Sequence, residues 1–119
     1  MAVPILKQGP FLIATIQAAL TDTDVLQLQD DVMAQVTRHR SRGIIVDVTA
    51  LDVMDSFVSR SLQGISRMTR LRGAETVIVG IQPEVAFAMV QLGMSFEDVQ
   101  TALDLEEGLA LLEAIELGS

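Results

Sequence analysis

Three largely apolar runs, Phe11–Gln17, Gly43–Val48 and Thr76–Ile81, are separated by segments that carry a helical repeat instead. Gly43–Val48 and Thr76–Ile81, rich in β-branched residues, read as buried strands of the kind parallel sheets contain, and Phe11–Gln17 reads as a strand of an opening hairpin at a mixed edge. Parallel neighbours need a crossover long enough to hold a helix, and both intervening segments provide one. In the first, Thr21-Asp22-Thr23-Asp24 offers short side-chain oxygens to the unpaired N–H groups of a helix start. Val25, Leu28, Val32 and Val36 follow at helical spacing. Arg38, His39, Arg40 and Arg42 crowd the far end, where cations complement the helix dipole, and Gly43 is read as the stop. The second segment, Ser56–Leu71, places Val58, Leu62, Ile65 and Met68 or Thr69 on one face, with Gly73 ending it. Pro83 opens a third helix that carries Val85, Met89 and Leu92 and stops near Gly93. A short extended piece, Val99–Ala102, leads to Asp104, the expected cap of a last helix with Leu105, Leu109, Leu112 and Ile115 on one face. Ahead of all this, Ile5–Lys7 and the first apolar run flank Gln8-Gly9-Pro10, a hairpin-like break. The order β-β-α-β-α-β-α-β-α predicts one α/β domain over residues 1–119. Its sheet should be mixed, mainly parallel, with about five strands and four helices.

Composition narrows the chemistry. The chain has no Cys, which removes disulfides, thiolate zinc sites and cysteine nucleophiles, and which suits a reducing cytoplasm. Apolar stretches such as Phe11–Ile16 and Val77–Ile81 are too short to span a bilayer. The N-terminus lacks the basic-then-apolar layout of a signal peptide. Net charge is −8, and it is unevenly placed: all eight Lys and Arg lie at or before Arg72, with only acidic charges beyond. An acidic surface disfavours nucleic acid and anionic membranes as partners. It serves either as a solvated face or as a docking face for a basic protein.

The segment Asp47-Val48-Thr49-Ala50-Leu51-Asp52-Val53-Met54-Asp55-Ser56-Phe57 holds the main functional candidates. It follows the carboxyl end of a buried strand, where open α/β sheets place their ligands. Three readings compete. Asp55 or Ser56 caps the next helix and does nothing more. Asp47, Asp52 and Asp55 form a carboxylate site for a hard cation or a phosphoryl group. Or Ser56 is a regulatory phosphorylation site, where a phosphate of about −1.5 to −2 charges would sit beside Asp52 and Asp55 and act by breaking a contact. Met54 and Phe57, if exposed, would make an apolar patch around it. His39 has no Cys or second His beside it and reads as a helix-terminal cation. Neither G-x-G-x-x-G, nor a Walker loop, nor a G-x-S-x-G elbow occurs.

Four stretches resemble the STAS domain of bacterial anti-sigma-factor antagonists, and more closely the RsbS-type scaffold family of the stressosome. They are Pro4-Ile5-Leu6-Lys7, Ile45-Val46-Asp47-Val48-Thr49 with Asp55-Ser56-Phe57, Gly80-Ile81-Gln82-Pro83-Glu84-Val85-Ala86, and Thr101-Ala102-Leu103-Asp104-Leu105-Glu106-Glu107-Gly108-Leu109. The resemblance implies the STAS fold and a phosphoacceptor at Ser56. It implies a non-enzymatic cytoplasmic scaffold that holds an RsbT-like serine/threonine kinase and releases it once phosphorylated. It also implies an RsbX-like phosphatase, an RsbR-like STAS paralogue and homo- and hetero-oligomers, with no cofactor. RsbR-type domains usually have threonine at the position of Ser56 and a second acceptor threonine where this chain has Ala88. Simple antagonists commonly read Asp-Ser-Ser-Gly, whereas Phe57 and Val58 follow Ser56 here. The first two differences favour the RsbS type over the RsbR type, and the Phe57-Val58 departure argues against the alternative, an antagonist that binds an anti-sigma kinase directly. Asp52, Met54, Asp55, Phe57 and Ser59 are the expected partner-facing switch surface, chosen by proximity to Ser56.

Overall fold

A computed structural model describes residues 2–118. β1 (Ile5–Gln8) and β2 (Phe11–Thr15) pair antiparallel; β3 (Gly43–Asp47), β4 (Glu75–Val79) and β5 (Gln100–Ala102) then add in parallel. The sheet order is β1-β2-β3-β4-β5, the same as in the chain. Each parallel step is bridged by a helix: α1 (Asp22–His39), α2 (Ser56–Leu71) and α3 (Pro83–Gln91). Same-handed crossovers between successive neighbours put all three on one face. There Val25, Leu28, Val32, Val58, Leu62, Ile65, Val85 and Met89 join Leu12, Ala14, Ile44, Val46 and Ile78 in one core. The fourth helix, α4 (Leu105–Gly118), covers the other face, where Leu112 packs with Phe11, Ile13, Ile45, Val77 and Val79. It lies close because Gly108 faces the sheet: a Cβ there would come within 2.6 Å of a Val79 methyl. The predicted mixed, mainly parallel fold is therefore observed, and strand alternation explains its two-sided burial.

Local chemistry sets the ends. Thr21 caps α1 in a capping box, its hydroxyl accepting from the Asp24 N–H while the Asp24 carboxylate accepts from the Thr21 N–H. Gly43 is not the stop of α1. Arg40 takes the left-handed conformation at φ 51° and closes the helix with its N–H on the Val36 carbonyl, and Gly43 begins β3. Leu92 does not share the buried face of α3: the helix ends at Gln91, and Leu92 is 73% exposed at its cap. Asp104 accepts from the Glu107 N–H at 2.9 Å, as a cap for α4 should.

Candidate functional site

The β3–α2 turn is built from short polar side chains tied to backbone. Asp47, the last residue of β3, accepts from the Thr49 N–H at 2.9 Å and from the Thr49 hydroxyl at 2.6 Å. This local bonding turns the chain off the strand. Gln82, at the N-cap of α3, donates its amide to the Thr49 carbonyl at 2.7 Å and reaches Asp52 at 3.4 Å. Gly80 brings the two loops together. Its φ is +81°, and a Cβ on it would sit 2.0 Å from the Thr49 hydroxyl oxygen. Leu51 and Met54 anchor the turn from below, both buried.

Asp55 is the N-cap of α2. Its backbone is extended and its carboxylate accepts from the Val58 N–H at 2.8 Å, while its carbonyl accepts from the Ser59 N–H. The capping role shared between Asp55 and Ser56 in sequence thus falls to Asp55. Ser56 is the first helical residue, exposed, and its hydroxyl makes no hydrogen bond among the described residues. A serine beside a filled cap is free for other chemistry.

Of the expected switch surface, Asp52 and Asp55 are exposed and Phe57 is half-buried against the helical core. Met54 and Ser59 are corrections: they are 5% and 3% exposed, because Met54 points into the core under the turn and Ser59 lies on the inner side of α2. Exposed apolar surface at the turn comes instead from Val53, which is 74% exposed. The three aspartates do not converge. Asp47 is engaged with Thr49 and Asp55 with Val58, and among the described residues no three His, Cys, Asp or Glu side chains come together to hold a metal. Thr49 and Gln82 were not legible as site residues. Their sequence signals are position, each just past the end of a parallel strand, and membership of two of the stretches that resemble the STAS domain; neither signal pairs them.

Residues 2–108 match the model of the STAS domain, and the chain belongs to that family. It resembles RsbS: a serine-to-glutamate form of Moorella thermoacetica RsbS is 34% identical, with a TM-score of 0.82 over 96% of this chain and 97% of that one. A chain in the molecular architecture of the stressosome, described as a signal integration and transduction hub, is 33% identical, with a TM-score of 0.77 over 95% and 98%. The RsbT co-antagonist protein RsbRA of Bacillus subtilis is 31% identical over 83 residues, 70% of this chain. The chain spans about 30% of the length of that relative. No helix among the described residues is long and apolar enough to cross a membrane.

Proposed function

We propose that this STAS domain is a non-enzymatic scaffold and phospho-switch in a stressosome-like assembly, with Ser56 as the phosphoacceptor. The observation that carries the reading is the division of labour at the turn: Asp55 does the capping, and the Ser56 hydroxyl is exposed and uncommitted. The likeness along nearly the whole chain to RsbS and to a stressosome subunit supports the assembly half. That the Moorella relative was built with glutamate in place of a serine suits a serine whose charge state matters. The likeness to RsbT co-antagonists supports an RsbR-like paralogue as co-assembling partner and an RsbT-like kinase as client. An RsbX-like phosphatase completes the cycle.

In the reaction, the Ser56 oxygen takes the γ-phosphoryl group of ATP on the kinase, the bond to ADP breaks, and the hydroxyl proton passes to the kinase's base. Asp52, Val53 and Asp55 surround the acceptor and present a mixed acidic and apolar surface to the partner. The unphosphorylated domain holds the kinase, and added charge releases it. Phosphorylation of purified protein by an RsbT-like kinase, followed by intact mass and kinase capture, tests this. One phosphate on wild type, none on Ser56→Ala and weaker capture by Ser56→Asp are expected. Stoichiometric phosphorylation of Ser56→Ala would sink the site, and undiminished capture by Ser56→Asp would sink the switch. Sedimentation with and without an RsbR-like paralogue tests assembly, which persistent monomers in both would refute.

A further inference from the structure

Beside Ser56 lies a cleft of about 340 Å³, lined by Ser56, Ser59, Arg60, Gln63 and, across from α2, Gly93, Met94 and Ser95. Its far wall is tied to the helix by a hydrogen bond from the Gln63 amide to the Ser95 carbonyl. Three features set this cleft apart from the acidic turn around it. No carboxylate lines it. Ser59 is 3% exposed, opens into it, and its hydroxyl has no hydrogen-bond partner among the described residues. Arg60 is the only Lys or Arg between Arg42 and Arg67, and it forms no ion pair or hydrogen bond among the described residues. An unpartnered hydroxyl on a residue only 3% exposed, reaching solvent through the cleft, and a free guanidinium in the same acid-free cleft are the complement of an anion. The carboxylates nearest in sequence are held elsewhere: Asp55 caps Val58, and Asp52 lies against Gln82.

We propose that the phosphate on Ser56 is received in cis by this cleft, through ion pairing with Arg60 and a hydrogen bond donated by Ser59. The inference rests on Ser56 being the acceptor and specifies how its phosphate is regulated. Ser56 and Arg60 are four residues apart on α2, which puts their side chains on one face a turn apart. The first-turn N–H groups and the positive end of the helix add to the field that draws the phosphate inward. Phosphorylation then does two things at once. It turns the charge away from Asp52 and Asp55 into the cleft, and it occupies Arg60, the free cation that an acidic group on a partner would otherwise use. Release of the partner follows from loss of Arg60 as well as from added negative charge.

The test uses the full chain with phosphoserine installed at position 56 by codon recoding, so that it does not depend on any kinase. Phosphorus NMR follows the second ionisation of the phosphate, ordinarily near pH 6. Pairing with Arg60 stabilises the dianion, so the midpoint in the otherwise wild-type chain should lie about 0.5 pH unit below that in Arg60→Gln, roughly a threefold change in ionisation constant. Ser59→Ala should raise the midpoint by a smaller amount. Arg67→Gln, about two turns further along α2, should leave it unchanged. Equal midpoints in wild type and Arg60→Gln, or as large a shift in Arg67→Gln, overturn the inference. That result leaves the acceptor assignment standing, whereas kinase phosphorylation of Ser56→Ala overturns the assignment itself.

Discussion

Replacing Gly80 by Ala tests whether the loop after β4 really positions the switch turn. Gly80 sits at φ +81°, where an L side chain costs about 1–2 kcal/mol. Its added Cβ would lie 2.0 Å from the Thr49 hydroxyl oxygen, 3.1 Å from the Thr49 Cβ and 3.2 Å from the Thr49 Cα. Backbone is among those neighbours, so rotating the Thr49 side chain away cannot absorb the overlap, and overpacking of this kind costs about 1–3 kcal/mol. Against this, Ala lowers the entropy of the unfolded chain, a gain of about 0.4–1 kcal/mol. The net loss is about 1–4 kcal/mol. With a urea slope of about 2 kcal/mol per molar, the unfolding midpoint should fall by about 0.5–2 M. Displacement of Thr49 should also disturb its bonds to Asp47 and Gln82, so amide shifts at residues 47–56 should change more than those of α4. Combining Gly80→Ala with Thr49→Ala removes the closest atom, and the pair should cost less than the sum of the single changes. A midpoint within about 0.3 M of wild type, or strict additivity, would refute the contact as the reason Gly80 is glycine.

Asp55→Ala leaves the Val58 N–H without its cap and should cost about 0.5–2 kcal/mol by urea unfolding, with Asp55→Asn retaining most of the stability. If Ala and Asn behave alike, Asp55 is not the operative cap. The buried hydroxyls of Thr69 and Thr76 bond at 2.8 Å, and Thr69 also bonds the Ser66 carbonyl at 3.0 Å. Thr69→Val strands the Thr76 hydroxyl and should cost about 1–3 kcal/mol, whereas Thr76→Val leaves Thr69 its second partner and should cost less. Denaturation of the two variants in parallel decides it; the reverse order would contradict the bonding described.

The sequence by itself determined the elements and their order. β-Branched apolar runs, a capping box at Thr21 and Asp24, Asp104 before α4 and Pro83 at the start of α3 act through atoms a few residues apart, so they are readable locally. The same locality left the capping role split between Asp55 and Ser56, since either oxygen lies near the same N–H groups. It also made Gly43 look like a helix stop when Arg40 provides it. The tertiary structure decided what the site is made of. Met54 and Ser59 are adjacent to the switch in sequence yet buried, because helix and sheet packing choose which side of a turn faces inward. Gln82 reaches Thr49 across 33 residues, and Gly93 to Ser95 close a cleft against Ser56 and Arg60 from the far end of α3. Such contacts join separate crossover loops at the carboxyl ends of the strands and between helices, and no short window of sequence contains both partners.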